Sequence, residues 1–555
     1  MNLFAVVVPL ILLHLPAGDG ALKELTWNND RQAFLHFCKN GNTYGYAPLG
    51  ETCVPGRIGP IIRMTAGQSY ILHLINDSDE DTNIHTHGLH IAGHGNTDDV
   101  TRVASPGYCL KYYYDIPNDH SSGTYWYHAH KHGATDAQVS GGAFGPLIID
   151  SAIESRPSSV NAMVQREHIL FFSSTSELGD QVNGLSLGSE SITLGTDTWE
   201  LVRLANNEPR GSESTFTFDT SNCQAVVVAR DGVWLSSVDP ANVNTGGSLI
   251  VTIGGASRAD VALMCSSNSG IYYNARNLRG TPDVIVQVDP GMSSQDSSPF
   301  DGGSVWKPRA SVSSSHYLAD LRGLPASKAF PNIAMSGAQI NGASWDPSKP
   351  LFEIPYDEVF EFEISGSGAH PFHLHLNHMQ VVTPGGCGGY LEEGEYYDTI
   401  SGSTCKVRIA TRDLAGRQVF HCHVLSHEDN GAMGWANIVG GPIIDDTDRD
   451  PVPSNQCCFE TECVIDPTYE CGFVSGVNNC GTTCSLDLGG CTGTNTCNTQ
   501  TFICEADGGD DSGGGGDVCL DLGADCDPRN DACCTSTVCD GKGRKGTCVE
   551  KNLRQ

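Results

Sequence analysis

The sequence predicts an all-β protein built from three similar β-sandwich domains that are followed by small disulfide-rich modules. Gly is abundant at 64 of 555 residues, and charged residues make up only 17%, a composition that favours strands and turns over helices. One turn-and-strand pattern occurs three times, with more than a hundred residues between copies. Such wide spacing predicts repeated domains and not a short-period solenoid. The C-terminal part is rich in cysteine, which predicts small folds held by disulfides.

The repeated pattern is a turn followed by a strand, with Gly or Pro as the punctuation. Its copies lie at 66–73, 246–253 and 355–362. Past Pro451 the composition changes sharply. These features predict the following divisions: a signal peptide at 1–21, domains at 22–150, 151–305 and 306–448, a cysteine-rich module at 455–505, a Gly/Asp linker at 506–518 and a second cysteine-rich module at 519–555.

The N-terminus carries an apolar run from Leu3 to Leu15 that is followed by small residues. The run is too short to cross a bilayer comfortably, so it predicts a secretory signal that is cleaved between Ala17 and Ala21. A membrane anchor is the alternative, because the usual positive charges before the run are absent. No other uninterrupted apolar run is long enough for a transmembrane helix. We therefore expect a secreted protein without a membrane span.

The chain is strongly acidic, with a net charge of −33. This charge argues against nucleic-acid partners, because binding to phosphate backbones needs clustered Lys and Arg. An acidic surface instead keeps the protein soluble and attracts cations.

Four clusters of histidine, one of which contains a cysteine, indicate metal chemistry. In an extended strand alternate side chains leave opposite faces, so Cys422 points away from His421 and His423. One strand can therefore serve two metal sites, because thiolate with imidazole suits copper while the flanking histidines reach metals on the far side. The two-residue spacing in the other clusters likewise places pairs of imidazoles on one face. The clusters are His85-x-His87, His128-x-His130, His370-x2-His373-x-His375 and His421-Cys422-His423-x3-His427.

Taken together and in this order, the four motifs strongly resemble those of the multicopper oxidases, the family of laccases, ferroxidases, ascorbate oxidase and bilirubin oxidase. The resemblance covers about 25–445 and excludes the cysteine-rich tail. It implies three cupredoxin-like Greek-key β-sandwich domains, of which the second is copper-free and the third holds a type 1 copper. It also implies four copper ions, O2 as the electron acceptor and a small reducing substrate.

The resemblance implies the copper ligands, motif by motif. Cys422, His370 and His427 would hold the type 1 copper, and His85 with His373 would hold the type 2 copper. The type 3 pair would take two sets of three histidines, which are His87, His128 and His423 on one ion and His130, His375 and His421 on the other.

The resemblance also suggests two catalytic carboxylates and an axial position. Glu428 takes the position near the trinuclear cluster that relays protons, and Asp98 takes the position that orients water on the type 2 side, with Asp99 as an alternative. Each could instead be a solvated acid or the partner of an imidazole N–H, which metal-bound histidines usually need. The family's axial type 1 residue falls on Ala432, and a non-coordinating Ala predicts a high-potential site. Met433 is the alternative ligand, or simply a packed core residue.

The cysteine count indicates an oxidising compartment, since 23 cysteines accompany the predicted signal sequence. With Cys422 reserved for metal, parity predicts one bridge between the tail and the core, and Cys109 is the expected core partner. The last six cysteines have the order of cystine-knot (knottin-like) modules, for which fifteen connectivities are possible. Local spacing predicts three further pairs, which are Cys38 with Cys53, Cys223 with Cys265, and Cys387 with Cys405.

The first functional hypothesis is a secreted laccase-like oxidase of phenols and aromatic amines. The alternatives are a metal oxidase acting on Fe(II) or Mn(II), and a catalytically silent copper-binding or matrix protein, which the intact ligand set disfavours. Asp398 and the nearby Glu392, Glu393 and Glu395 would accept a phenol's proton near the type 1 histidines, or bind the metal ion in a ferroxidase. We expect the tail to attach the enzyme to a wall or matrix.

Overall fold

The computed structural model describes residues 22–151, 158–274, 280–294, 299–300, 316–368, 370–402, 404–442 and 450–457, and beyond 457 only nine short strands. The predicted signal peptide at 1–21, almost all of the linker at 506–518 and most of both cysteine-rich modules lie outside the described residues. The chain divides into two compact units, Met1–Phe459 and Glu460–Gln555. The predicted domain boundaries within the first unit stay predictions.

The first unit consists mainly of short strands. The strands are β1 (Gln32–Asn40), β2 (Thr43–Pro48), β3 (Ile62–Thr65), β4 (Ser69–Asn76), β5 (His85–His87), β6 (Tyr108–Asp115), β7 (Gly123–His128), β8 (Phe144–Asp150), β9 (Glu167–Thr175), β10 (Gly179–Val182), β11 (Leu185–Ser186), β12 (Glu190–Gly195), β13 (Glu200–Asn207), β14 (Ser214–Asp219), β15 (Cys223–Arg230), β16 (Val233–Trp234), β17 (Asn244–Thr245), β18 (Ser248–Ile253), β19 (Arg258–Cys265), β20 (Ser269–Tyr273), β21 (Val284–Asp289), β22 (Ile333–Ser336), β23 (Gln339–Ile340), β24 (Phe352–Pro355), β25 (Val359–Ser365), β26 (Phe372–Leu374), β27 (Met379–Val381), β28 (Tyr396–Tyr397), β29 (Thr399–Ile400), β30 (Cys405–Ala410), β31 (Gly416–Cys422), β32 (Met433–Val439) and β33 (Val452–Pro453). The helices are α1 (Thr135–Ser140), α2 (Ser158–Val164) and α3 (Leu425–Asp429), with 3-10 turns at Pro240–Asn242, Pro290–Met292 and Ser454–Gln456.

These strands form three pairs of sheets, which confirms the all-β, three-sandwich prediction. The first sandwich pairs the sheets β2-β1-β4-β6-β33 and β3-β8-β7-β5. The second pairs β11-β10-β9-β13-β19-β15-β16, with β17 beside β15, and β12-β21-β20-β14-β18. The third pairs β23-β22-β25-β30-β27-β28 and β24-β32-β31-β26-β29. Each sandwich encloses its own hydrophobic core.

The three sandwiches share one pairing scheme. In each of them a parallel pair, β1 with β4, β9 with β13, or β22 with β25, is followed by an antiparallel neighbour, β6, β19 or β30. The first and third copies of the sequence pattern fall on the equivalent strands β4 and β25. The second copy, 246–253, does not fall on the equivalent strand, because it forms β18 in the opposite sheet and β13 is the equivalent strand. A turn followed by a strand occurs at many places in a β-sandwich, so the pattern does not identify one particular strand.

The four disulfides predicted for the first unit are present. Local bridges join Cys38 to Cys53, Cys223 to Cys265, and Cys387 to Cys405. Cys109 pairs with Cys457 across 348 residues. In the same place β33 pairs with the edge strand β6, so the chain after the third sandwich returns to the first one.

The described part of the second unit consists of short strands, whose bounds are Phe473–Val477, Thr483–Asp487, Asn495–Cys497, Cys504–Ala506, Cys519–Leu520, Asp525–Cys526, Ala532–Cys533, Thr537–Asp540 and Gly546–Glu550. Over the residues that the structure describes in either unit, no helix has the length and apolar character needed to cross a membrane.

Candidate metal centres

The histidine motifs lie on strands that pair with one another. β5 pairs antiparallel with β7, which places His85 opposite His128. β26 pairs antiparallel with β31, which places His373 opposite His421. The first pair belongs to the first sandwich and the second pair to the third, and the imidazoles from both meet between them. Short strands with a two-residue histidine spacing therefore bring distant parts of the sequence into one site.

Eight histidines converge in one buried group, which we call the eight-histidine cluster, and none of them is more than 1% exposed. The Nε2 atoms of the predicted type 2 pair, His85 and His373, are 3.3 Å apart. In one predicted type 3 set the Nε2 atoms of His130 and His421 are 3.1 Å apart, and the nearest ligand atom of His375 lies within 4.8 Å of both residues' ligand atoms. In the other type 3 set the ring centroids are 5.2 to 5.8 Å apart. The members are His85, His87, His128, His130, His373, His375, His421 and His423.

Six of the eight imidazoles use one ring nitrogen for a hydrogen bond. Asp98 accepts from Nδ1 of His85 at 2.8 Å and from Nδ1 of His375 at 3.1 Å. His87 is held in the opposite sense, since its Nε2 donates to Asp398 at 3.2 Å while its Nδ1 has no hydrogen-bond partner. One anchored nitrogen and one available nitrogen is the arrangement that metal-bound histidines need. Backbone carbonyls accept from Nδ1 of the remaining three, His128, His373 and His421.

The chemistry of the cluster fits metal cations. Desolvation lowers the pKa of every member, to about 3 for His128 and about 4 for His421, so that the imidazoles are neutral at pH 7. Nε2 of His128 and of His375, and both nitrogens of His423, have no hydrogen-bond partner. Each such buried atom costs about 1–3 kcal/mol, and unprotonated nitrogens that face each other repel. Copper ions bound here would remove both penalties.

Cys422, His370 and His427 form a second group, which we call the thiolate site. Nδ1 of His370 is 3.4 Å from Sγ of Cys422, Nδ1 of His427 is 3.8 Å from it, and the two nitrogens are 3.1 Å apart. A point in this triangle lies about 2 Å from all three atoms, which is the length of a metal–imidazole bond. Two imidazoles and a thiolate in a trigonal arrangement are the ligands of a blue-copper site. Burial raises the pKa of the Cys422 thiol to about 12, so its thiolate form needs a bound cation.

The two groups differ in their access to solvent. Cys422 is fully buried, but His370 and His427 are only half-buried. The eight-histidine cluster, by comparison, is shielded from solvent. An electron donor can therefore approach the thiolate site through its imidazoles.

Ala432 lies beside the thiolate site, and Met433 lies on the other face of its strand. The backbone N–H of Cys422 donates to the carbonyl of Ala432 at 2.9 Å, and both residues belong to one core cluster. Met433 stands opposite His421 in the pairing of β31 with β32 and packs against Val419 in a different cluster. Met433 is thus a packed core residue, and no register shift brings its sulfur to Cys422.

Asp98 is the partner of two imidazoles, which is one of the two roles considered for it. Besides His85 and His375, the backbone N–H of Thr86 donates to its carboxylate at 3.1 Å, and burial raises the pKa of Asp98. The alternative candidate, Asp99, accepts instead from the backbone and hydroxyl of Thr101. A role of Asp98 in orienting water stays a prediction.

Glu428 lies in α3 at the edge of the eight-histidine cluster. Its side chain is fully buried, and one carboxyl oxygen is 3.7 Å from Nδ1 of His130 and 3.9 Å from Nδ1 of His132. The hydroxyl of Thr135 donates to the same oxygen at 3.2 Å. Burial raises the pKa of Glu428. Since the side chain of His132 is 32% exposed, Glu428 lies between the cluster and solvent.

Asp398 belongs to the eight-histidine cluster, so its expected place beside the type 1 histidines is wrong. It is 1% exposed, its carboxylate holds His87 and its carbonyl accepts from Nδ1 of His373. Nearby Glu395 is also buried and accepts from Ser236. The sequence did not reveal this role because Asp398 is far from every histidine motif along the chain. It reaches the cluster only because β29, which follows it, pairs with β26.

Comparison with known proteins gives one family for the two parts of the chain that contain the histidine motifs. Residues 54–153 and 321–439 each match a family model of multicopper oxidases. The multicopper oxidase mco of Staphylococcus haemolyticus is 26% identical over 424 residues, which cover 72% of this chain and 86% of the relative. Laccase-1 of Cryptococcus neoformans is 34% identical over 100 residues, which cover 17% of this chain and 15% of the relative. A solved multicopper oxidase of Campylobacter jejuni, described as a metallo-oxidase, matches with a TM-score of 0.56 and 18% identity over 75% of this chain and 94% of that chain.

The fold and the two donor sets define a copper-dependent oxidoreductase. More specifically, 54–153 and 321–439 are multicopper oxidase domains. The donor atoms of the eight-histidine cluster and of the thiolate site are the places where its residues would hold copper.

Proposed function

We propose that the protein oxidises phenols or aromatic amines one electron at a time at the thiolate site and reduces O2 to water with four electrons at the eight-histidine cluster. Four copper ions, one of type 1, one of type 2 and two of type 3, would be the cofactors. When bound, copper supplies one-electron redox chemistry at the first site and O2 chemistry at the second.

The observation that carries this proposal is the position of Cys422 between two members of the eight-histidine cluster. His421 and His423 precede and follow it directly, and they point to the opposite side of the strand. On the paired strand β26, Phe372 stands opposite Cys422, and the next residue, His373, stands opposite His421. The backbone of β31 therefore joins the half-buried site to the closed one by a few covalent bonds.

The chain itself also provides for protons. Glu428 has one carboxyl oxygen near His130 and no hydrogen-bond partner on the other oxygen. Half-exposed His132 lies on the solvent side of it. In this proposal Glu428 delivers the protons that water formation consumes, and Asp98 keeps His85 and His375 in one tautomer by accepting their Nδ1–H groups.

An organic donor is favoured over a metal ion because two of the acids that the sequence offered for a substrate ion have other partners. Asp398 and Glu395 are both buried, and they accept hydrogen bonds from His87 and Ser236, respectively. An Fe(II) or Mn(II) oxidase needs acidic ligands for its substrate ion beside the half-buried imidazoles. Relatives include a laccase and an enzyme described as a metallo-oxidase, so Fe(II) or Mn(II) oxidation is the second candidate.

Oxygen uptake by the copper-loaded protein tests the donor class. We expect uptake with a panel of phenols and aromatic amines that exceeds uptake with Fe(II) or Mn(II) at equal concentration. Faster uptake with either metal ion would favour the second candidate. Absence of uptake with every donor would instead favour a silent copper-binding protein.

Cys422→Ser tests the electron route. The variant should lose the intense blue absorption and at least 99% of the donor oxidation, because the hydroxyl of Ser is a poor copper ligand, an effect of about two orders of magnitude or more. Copper in the eight-histidine cluster should remain, and this retained copper is the control for folding. Oxidation that persists in a folded Cys422→Ser protein would contradict the proposal.

We propose secretion as the localisation of the protein. The support is the apolar run before Ala21 and the four disulfides of the first unit, which form and persist in oxidising compartments. N-terminal sequencing of protein from the culture medium of an expressing host should find a start between 18 and 22. Retention of the uncleaved chain in the membrane fraction would support the anchor instead.

The tail is proposed to attach the enzyme to a wall or matrix. Its test is removal of 460–555, which keeps Cys457 and therefore its disulfide with Cys109. We expect unchanged donor oxidation in solution and lower retention on the solid phase. Equal retention of the two proteins would remove the attachment role.

A further inference from the structure

The orientation of His87 depends on Asp398. The other anchored members of the eight-histidine cluster donate from Nδ1, whereas His87 donates from Nε2 and leaves Nδ1 without a partner. The hydroxyl of Thr399 is a further contact, 3.3 Å from the same Nε2. The Asp398 carboxylate therefore decides which nitrogen of His87 carries the proton.

Asp398 is in turn held by Arg258, at the start of β19 in the second sandwich. Nη1 of Arg258 donates to Oδ1 of Asp398 at 2.9 Å and Nη2 donates to Oδ2, which makes the pair bidentate. The side chains are 0% and 1% exposed. A planar guanidinium fixes the plane of a carboxylate, which the single charge of an ammonium cannot do.

Further contacts hold the guanidinium beside this carboxylate. Its Nε donates to the carbonyl of Thr124 at 3.1 Å, and its Nη1 also donates to the carbonyl of Ala256 at 3.2 Å. The ring of Tyr125 lies 5.7 Å from its Cζ. Gly88, directly after His87, has a φ of +89°, and a Cβ there would collide with both charged groups. The glycine therefore permits the close approach of Arg258 and Asp398 to His87.

We propose that Arg258 is a positioning residue for copper binding, which fixes Asp398 so that His87 is protonated at Nε2 and presents Nδ1 to the eight-histidine cluster. The inference rests on the proposed function and extends it. It gives the second sandwich, which has no copper ligands in the proposal, a part in building the copper site. The first sandwich then supplies the ligand His87, the second supplies the guanidinium of Arg258, and the third supplies the carboxylate of Asp398.

Arg258→Lys is the main test, because it keeps the charge and removes the two parallel N–H groups. We expect the affinity of the eight-histidine cluster for copper, measured by competition with a chelator, to fall about 10- to 100-fold. The blue absorption of the thiolate site should be retained. The kcat for donor oxidation should fall while KM for the donor is unchanged, because the donor meets the other site. Asp398→Asn, which keeps the side-chain volume, is the second variant and should show the same pattern of losses.

Arg203→Lys is the matched control. Arg203 is 2% exposed on the neighbouring strand β13, and its hydrogen bonds go to Asp260, Glu167 and Thr124. It should lower the melting temperature without changing copper affinity. Wild-type copper affinity in both Arg258→Lys and Asp398→Asn, or an equal loss in Arg203→Lys, would overturn the positioning role. A wild-type protein that binds no copper would overturn the proposed function as well, so the two failures are distinguishable.

Discussion

Single ring atoms decide what the two candidate sites can hold. Asp98, Asp398 and three backbone carbonyls accept a hydrogen bond from one nitrogen of each of six buried imidazoles, so that the other nitrogen of each ring is available as a metal ligand. At the thiolate site the two facing nitrogens and the sulfur leave room for one ion of copper size. Neighbours of the ligands therefore determine which ring nitrogen is available to a metal. The ligand motifs alone do not reveal these neighbours.

Ala432→Met should lower the reduction potential of the thiolate site. Ala432 packs beside Cys422, so a thioether placed there can become an axial ligand, and the axial ligand tunes the potential. The larger side chain should also cost about 1–3 kcal/mol of unfolding free energy. A redox titration that follows the blue absorption measures the effect.

Met433→Leu is the control for this prediction. Met433 packs against Val419 on the far side of the strand, so its replacement should leave the potential unchanged. A lower potential in Met433→Leu, or an unchanged one in Ala432→Met, would contradict the assignment of Ala432 to the axial position.

At the scale of elements, strand periodicity explains what the sequence could predict. The two-residue histidine spacing predicted pairs of ligands that meet in one cluster, although only β5 contains both members of its pair, and local cysteine spacing predicted three disulfides. What could not be predicted depends on contacts between elements. Asp398 reaches His87 through the pairing of β29 with β26. The second copy of the strand pattern falls on β18, because a turn followed by a strand does not distinguish one sheet from the other.

The disulfide that ties the end of the first unit to the first sandwich makes a contribution to stability that can be measured. Replacing both Cys109 and Cys457 by Ser should lower the unfolding free energy by about 2–5 kcal/mol. The matched variant replaces Cys387 and Cys405, which are only 18 residues apart. Because loop-closure entropy grows with the logarithm of length, the bridge across 348 residues should contribute roughly 2–3 kcal/mol more. Equal losses in denaturant unfolding would contradict this entropic account.

At the scale of the whole molecule, the first and third sandwiches contain the proposed copper ligands, and the second contains buried ion pairs. Arg203 pairs with Asp260 and Glu167, and Arg258 pairs with Asp398. Buried pairs of this kind contribute little net stability but are costly to break on one side. The Arg258–Asp398 pair joins the second sandwich to the third beside His87, whereas Arg203 pairs with acids of the second sandwich itself.

Burial of neutral histidines makes the stability of the whole molecule dependent on pH. Among the described histidines outside the proposed ligand set, desolvation lowers the pKa of buried His73 to about 3, of His90 to about 4 and of His120 to about 3, from an ordinary value of 6.5. Between pH 6.5 and about 4 the unfolded chain binds protons that the folded chain does not. The unfolding free energy should therefore fall with decreasing pH, by up to about 1.4 kcal/mol per unit for each group.

Buried acids act in the opposite sense, since burial raises the pKa of Asp231 to about 7, but neutral buried histidines are more numerous. Denaturant unfolding of the copper-free protein between pH 4.5 and 6.5 tests the prediction. His73→Gln keeps a hydrogen-bonding group near Gln32, which now contacts Nε2 of His73 at 3.1 Å, and removes one titrating group. Its plot of unfolding free energy against pH should be shallower than that of the wild type by up to about 1.4 kcal/mol per unit. Parallel plots would show that His73 takes up no proton on unfolding.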